Sequence, residues 1–169
     1  MENVERLSQI MDDYGIPPVA QAAMLGNIHV ETGGSYDYQT KQKGGKGYGL
    51  FQFDFHNKPY QRMLKEEKLK DSPENQIKYF IETIYGNKQN VIGKGNAAQM
   101  RNAIENEQDP AKLTQYMSDA WFRPGQPNMD ARIKATSMYA PPQPEANVGR
   151  DELFGGFGYL KDMFNFGKP

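Results

Sequence analysis

The segment PVAQAAMLGNIHVE, residues 18–31, constrains the fold of this chain more than any other. Val19, Ala22, Ala23, Gly26 and Val30 recur at three- and four-residue steps and form one stripe of a helix, widened by Met24 and Ile28. The middle of that stripe is Ala22, Ala23 and Gly26, which have no side chain long enough to hold a neighbour away. Another helix is therefore expected to lie tightly against it. The helix delivers a single carboxylate, Glu31, and then breaks on Gly33 and Gly34.

The other helices follow from the same period. Val4, Leu7, Met11 and Tyr14 mark a first amphipathic helix ended by Gly15, and Pro17 with Pro18 opens the second. Over residues 33–55 the helical period disappears. The stretch YDYQTKQKGGKGYGLFQFDF is expected to form a loop and a short β-hairpin, with Phe51, Phe53 and Phe55 alternating on a half-buried strand. Helices are expected again over residues 59–68, after Ser72 as N-cap with Pro73, after Asn96, after Asp109 with Pro110 through Trp121, and over residues 129–139. The fold class is thus α+β and mostly helical, with a small β-hairpin after the second helix. Residues 1–140 form one domain. From Pro141, Pro142 and Pro144 the composition shifts to a Pro-rich linker and a Gly- and Phe-rich extension, 141–169, whose aromatic residues suit docking on another subunit or a membrane surface, with its glycines and Asp151, Glu152 and Asp162 favouring docking.

Composition removes several classes of function. Twenty Lys and Arg against 21 Asp and Glu leave no basic footprint for nucleic acid, and a neutral polar polymer suits such a chain better. There is no cysteine, so neither disulfides nor thiolate chemistry is available. No stretch approaches the ~20 apolar residues of a membrane span, and the N-terminus lacks the pattern of a signal peptide. His29-Val30-Glu31 has no Cys-x-x-Cys partner and puts its two polar groups on different helix faces, so no metal site follows; His29 and His56 are expected to be ordinary helix-surface or packing residues. KGGKGYG fails the phosphate-loop spacing, because Thr40 stands where its first glycine is needed. No cofactor is implied. Lys41, Lys43, Lys46 and Lys58 form a local basic strip, either solvated or turned toward an acidic substrate.

Glu31 is the candidate for chemistry. Apolar packing and the negative end of the helix dipole both favour the protonated carboxyl, which is what a general acid at a glycosidic oxygen requires. Trp121, the one tryptophan, reads as a core residue or a groove wall, and Arg132 as a helix residue closing against the hairpin or a carboxylate.

Three segments in order, AAMLGNIHVETGG, GYGLFQF and WFRPGQPNMDARIKATSMY, resemble the phage tail lysozyme family of the lysozyme-like superfamily, related to goose-type lysozymes and soluble lytic transglycosylases. The resemblance covers roughly residues 5–140. It implies a lysozyme-like fold and cleavage of the β-1,4 bond between N-acetylmuramic acid and N-acetylglucosamine in bacterial peptidoglycan. It also implies Glu31 as the acid and Gln52 lining the sugar groove, and a Gln amide both donates to and accepts from sugar hydroxyls. Tyr36, Tyr48 and Phe51 are candidates for the apolar faces of sugar rings, with core packing the alternative for each. Asp37 and Asp54 are candidates for a second catalytic carboxylate. With Asp37 activating water the enzyme is a hydrolase; with Glu31 acting first as acid and then as base on the 6-hydroxyl it is a lytic transglycosylase. The resemblance further implies a place in the phage particle, acting at the host cell wall during genome delivery, with virion proteins as partners of the extension. An endolysin would look alike. A non-catalytic virion or glycan-binding module that keeps the fold is the other class of function.

Overall fold

The computed structural model describes residues 2–142 of the 169, so the C-terminal extension and its expected virion partners lie outside the described residues. Among the described residues seven α-helices follow one another: α1 (Glu2–Asp13), α2 (Pro18–Glu31), α3 (Asn57–Glu66), α4 (Pro73–Ile84), α5 (Lys94–Asn106), α6 (Pro110–Met117) and α7 (Met129–Ser137). A single 3-10 turn (Gln89–Val91) precedes α5, and a π-helical turn (Ser118–Phe122) follows α6. None of these helices is long and apolar enough to cross a membrane.

The caps explain several boundaries. The Ser72 hydroxyl accepts from Asn75 N at 3.2 Å at the start of α4, and Asp109 Oδ1 accepts from Ala111 N at 2.9 Å at the start of α6. Helix α5 departs from expectation: it begins at Lys94 after Gly93, and the Asn96 amide turns back to Ile92 O instead of capping.

Helix α2 is the centre of the molecule and packs on α6 and α7. At its crossing with α7 a Cβ placed on Gly26 would lie 1.9 Å from Thr136 Oγ1, 2.8 Å from Thr136 N and 2.9 Å from Arg132 O. The small-residue stripe therefore meets the helix it requires.

The expected β-hairpin is not confirmed. Among the described residues there is no strand, and the segment carries one isolated antiparallel bridge, Lys41 with Tyr48. Beyond that rung, Gly49 (φ 84°) and Gln52 (φ 45°) curl the chain, and Phe53 N returns to Tyr48 O at 2.8 Å. The strand alternation fails for the same reason: Phe51 and Phe53 enter the core and stack at 5.6 Å, whereas Phe55 is 44% exposed.

Trp121 is a core residue. The helix that begins at Pro110 gives way to the π-turn after Met117, closed by Arg123 N on Ser118 O at 2.7 Å. The wider turn carries Trp121 against Phe51, Phe80 and His56, fully buried, with its Nε1 donating to Thr83 Oγ1 at 2.9 Å.

Candidate active site

The site begins where α2 ends. Thr32 closes the last turn, its hydroxyl donating to Ile28 O at 2.8 Å and accepting from Tyr36 N at 3.0 Å. Gly33 (φ 60°) and Gly34 (φ 80°) then take the chain through two left-handed positions that residues with a Cβ adopt at a cost. The abrupt stop leaves Glu31 at the edge of a cleft of about 610 Å³. Its walls come from the end of α2, residues 40–43, residues 51–56, and the segment around Phe122, Gly125 and Asn128.

Glu31 lies against Arg132, and this corrects the apolar surround expected for it. Arg132 Nη2 donates to Glu31 Oε1 at 2.6 Å; the arginine side chain is 1% exposed and the glutamate 14%. Three more acceptors hold the guanidinium: Pro127 O at 2.6 Å, Asn27 Oδ1 at 2.9 Å and Asn27 O at 3.4 Å, and its flat face lies over the Phe122 ring at 5.8 Å. A buried charge needs this degree of satisfaction. Asn27, itself fully buried, donates to Ala23 O and Thr114 O, so α2, α6 and α7 meet on one polar residue. Of the two readings of Arg132, closure on a carboxylate is the one observed. No hydrogen bond among the described residues reaches Glu31 Oε2.

Four of the candidate residues share the cleft: Glu31, Phe51, Gln52 and Asp54. Gln52 donates through Nε2 to Gly49 O at 2.9 Å and Thr40 O at 3.3 Å, and its Oε1 is buried without a partner among the described residues. Asp54 is exposed at the rim. Phe51, 2% exposed and stacked on Phe80, Trp121 and Phe122, borders the cleft as a core residue. The other three do not line the cleft. Asp37 is exposed and its Oδ1 accepts from Gln39 N at 2.9 Å within its own turn. Tyr36 is buried, its hydroxyl lying between His29 Nδ1 (2.8 Å) and Tyr139 Oη. Tyr48 donates to Asp71 Oδ2, and burial together with that carboxylate pushes both its phenol and that of Tyr60 well above the usual range.

Three features escape a reading of the sequence. Gln76, fully buried on α4, accepts from Leu50 N at 2.8 Å and donates to Tyr38 O (2.9 Å) and Asp71 Oδ1 (3.0 Å), pinning the loop that carries Gln52. Its sequence signal is a polar side chain on the apolar period of α4. Arg123, in the left-handed region at φ 49°, brings a cation into the cleft; the Arg-Pro-Gly turn is its only sign. His56, read as a packing residue, is 2% exposed and stacks on Trp121 at 4.2 Å, yet also lines the cleft. Burial lowers its pKa to about 4, with Arg123 adding to the effect and a hydrogen bond to the Trp121 carbonyl opposing it. Among the described residues no group of three or more His, Asp or Glu is placed to hold a metal ion.

A family model described as phage tail lysozyme matches residues 2–141, which include all seven helices and every residue lining the cleft. No curated protein and no solved structure matches the chain. With its mostly helical fold and a match over more than four-fifths of its length, the chain belongs to the phage tail lysozyme family, whose lysozyme-like role is the degradation of peptidoglycan.

Proposed function

We propose that the protein is a muramidase that cleaves the β-1,4 bond between N-acetylmuramic acid and N-acetylglucosamine, with Glu31 as the proton donor. The observation that carries this reading is the placement of Glu31: its Oε1 is held by Arg132 at 2.6 Å, its Oε2 is uncommitted among the described residues, and it borders a 610 Å³ cleft. A carboxyl oriented through one oxygen leaves the other to deliver a proton along a defined direction. Gln52 supplies amide groups beside it. For the second half of the reaction the placement favours Asp54, which shares the cleft, over Asp37, which does not. Membership of a phage tail lysozyme family supports action on the cell wall, and we infer that the protein acts there from the virion during penetration.

Mass spectrometry of fragments released from purified peptidoglycan by the wild type, Glu31→Gln and Asp54→Asn tests the reading. Release by the wild type and loss of at least ~10²-fold with Glu31→Gln are expected, the usual scale of general acid catalysis. Products ending in 1,6-anhydromuramic acid mean that Glu31 takes the second proton from the sugar's own 6-hydroxyl. Reducing ends, lost with Asp54→Asn, mean that Asp54 activates water. The buried Glu31–Arg132 pair also favours a second reading, a glycan-binding module in which the pair is purely structural. Binding without release by the wild type would establish that reading instead.

A further inference from the structure

The cleft is positive on a chain whose net charge is −1. Lys41, Lys43, Arg123 and Arg132 line it, against Glu31 and Asp54. Arg132 is engaged by Glu31 and Asn27, so three other cations face the open space, with Asp54 as the one carboxylate besides Glu31. Lys41, Lys43 and Arg123 form no ion pair among the described residues.

Arg123 is a built part of this wall. Its backbone sits in the left-handed region, a strain for a residue with a side chain that concentrates at functional sites. Its Nε donates to the Ala120 carbonyl at 3.0 Å, and its guanidinium lies 5.6 Å over the ring of Phe55, which in turn rests against His56 at 3.9 Å. These contacts hold the head in place while no contact among the described residues engages its two Nη groups. Lys41 lies on the one bridge that orders its loop. The cations thus come from two separate segments that converge on one cleft.

A glycan of N-acetylated sugars is neutral along its hydroxyl and amide groups and gains nothing from a cleft in which three cations outnumber one carboxylate. The free carboxylates of the peptide stems carried by that glycan do match them. We propose that the cleft recognises peptidoglycan through its acidic stems as well as its sugars, with Lys41, Lys43 and Arg123 reading stem carboxylates. The proposal rests on the muramidase reading and names the part of the substrate that sets its specificity.

The test compares one preparation of uncross-linked strands, freed of wall polymers, with the same strands after their stem carboxylates are converted to primary amides by carbodiimide and ammonia. Exposed ion pairs are individually weak, so the wild type is expected to show roughly a three- to tenfold higher kcat/KM on the acidic strands, mostly in KM and shrinking as salt is raised. In the triple variant Lys41→Ala, Lys43→Ala, Arg123→Ala that ratio is expected to approach one. The double variant Lys41→Gln, Lys43→Gln, confined to exposed side chains, serves should the triple variant fail to fold, and is expected to lose part of the ratio. A wild-type ratio of one, or a ratio that survives the substitutions, overturns the inference and leaves the muramidase reading standing. Release from neither substrate overturns that reading first. Strands that retain their phosphate polymers form the last arm: a preference for them that the triple variant loses, with no effect of amidation, assigns the cations to phosphate and overturns the stem assignment.

Discussion

Replacing Gly26 with alanine tests whether the approach of α7 to α2 sets the geometry of the site. In an ordinary mid-helix position this change stabilises a protein by ~1 kcal/mol, because alanine has the better helix propensity. Here the new methyl would lie 1.9 Å from Thr136 Oγ1, 2.8 Å from Thr136 N and 2.9 Å from Arg132 O. The hydroxyl can rotate away, at the expense of its 2.7 Å hydrogen bond to Thr114 Oγ1, but the two backbone atoms cannot. To reach an ordinary 3.4 Å contact, α7 must recede by about 0.5 Å or more, and overpacking of this kind costs ~1–3 kcal/mol. Adding about 1 kcal/mol for that lost hydrogen bond and setting the total against the propensity gain gives a net loss of about 1–3 kcal/mol, or roughly 2–12 °C in Tm for a chain of this size. The receding turn also carries the Arg132 guanidinium, so release of peptidoglycan fragments is expected to fall by more than the folded fraction accounts for. Thermal unfolding by circular dichroism and fragment release from the same sample read both effects. A Gly26→Ala protein as stable as the wild type, or more so, would refute the reasoning, because it would show that the two helices have room to spare.

His56 gives a second prediction. Its pKa is about 4 when folded and near 6.5 when unfolded, so the unfolded chain binds the extra proton between those values. The stability this supplies is complete above pH 6.5 and lost as pH falls through 4, amounting to roughly 2–3 kcal/mol by pH 4.5. Urea unfolding of the wild type and His56→Gln at pH 7.5 and 4.5 checks it; an equal acid loss in both proteins rejects it. For Gln76→Leu, the buried Leu50 N–H and Tyr38 carbonyl lose their partners at about 1–3 kcal/mol each, so a total loss of at least ~2 kcal/mol is expected in urea, and a loss below ~1 kcal/mol contradicts the pinning role.

The helices and their order were legible because their signals are local. Ser72 and Asp109 cap helices as their position before a proline suggests, and the apolar period of α2 identifies its buried stripe. Residues 49–56 were not legible for the opposite reason. The alternation of Phe51, Phe53 and Phe55 fits a strand, but the conformation is decided by Gln76 pulling on Leu50 N from 26 residues away and by the core that takes Phe51 and Phe53. Tertiary demand outweighs the local pattern there, and it also engages Tyr36 and Tyr48, whose hydroxyls bond inside the protein.

Glu31 and Arg132 show how far one readable feature extends. Each was visible alone, at the end of one helix and within another, 101 residues apart. What joins them is the stripe of Ala22, Ala23 and Gly26. Because Gly26 has no side chain, the α7 backbone approaches to the distance at which the Arg132 guanidinium reaches both Asn27, one residue beyond, and Glu31, a helical turn further on. Asn27 is polar on a helix that is otherwise buried around it, and it is tolerated there because Ala23 O, Thr114 O and Arg132 all use it. The close packing that makes α2 the centre of the fold and the orientation of the carboxyl at its end are therefore one structural fact. A substitution that loosens the first is bound to misdirect the second.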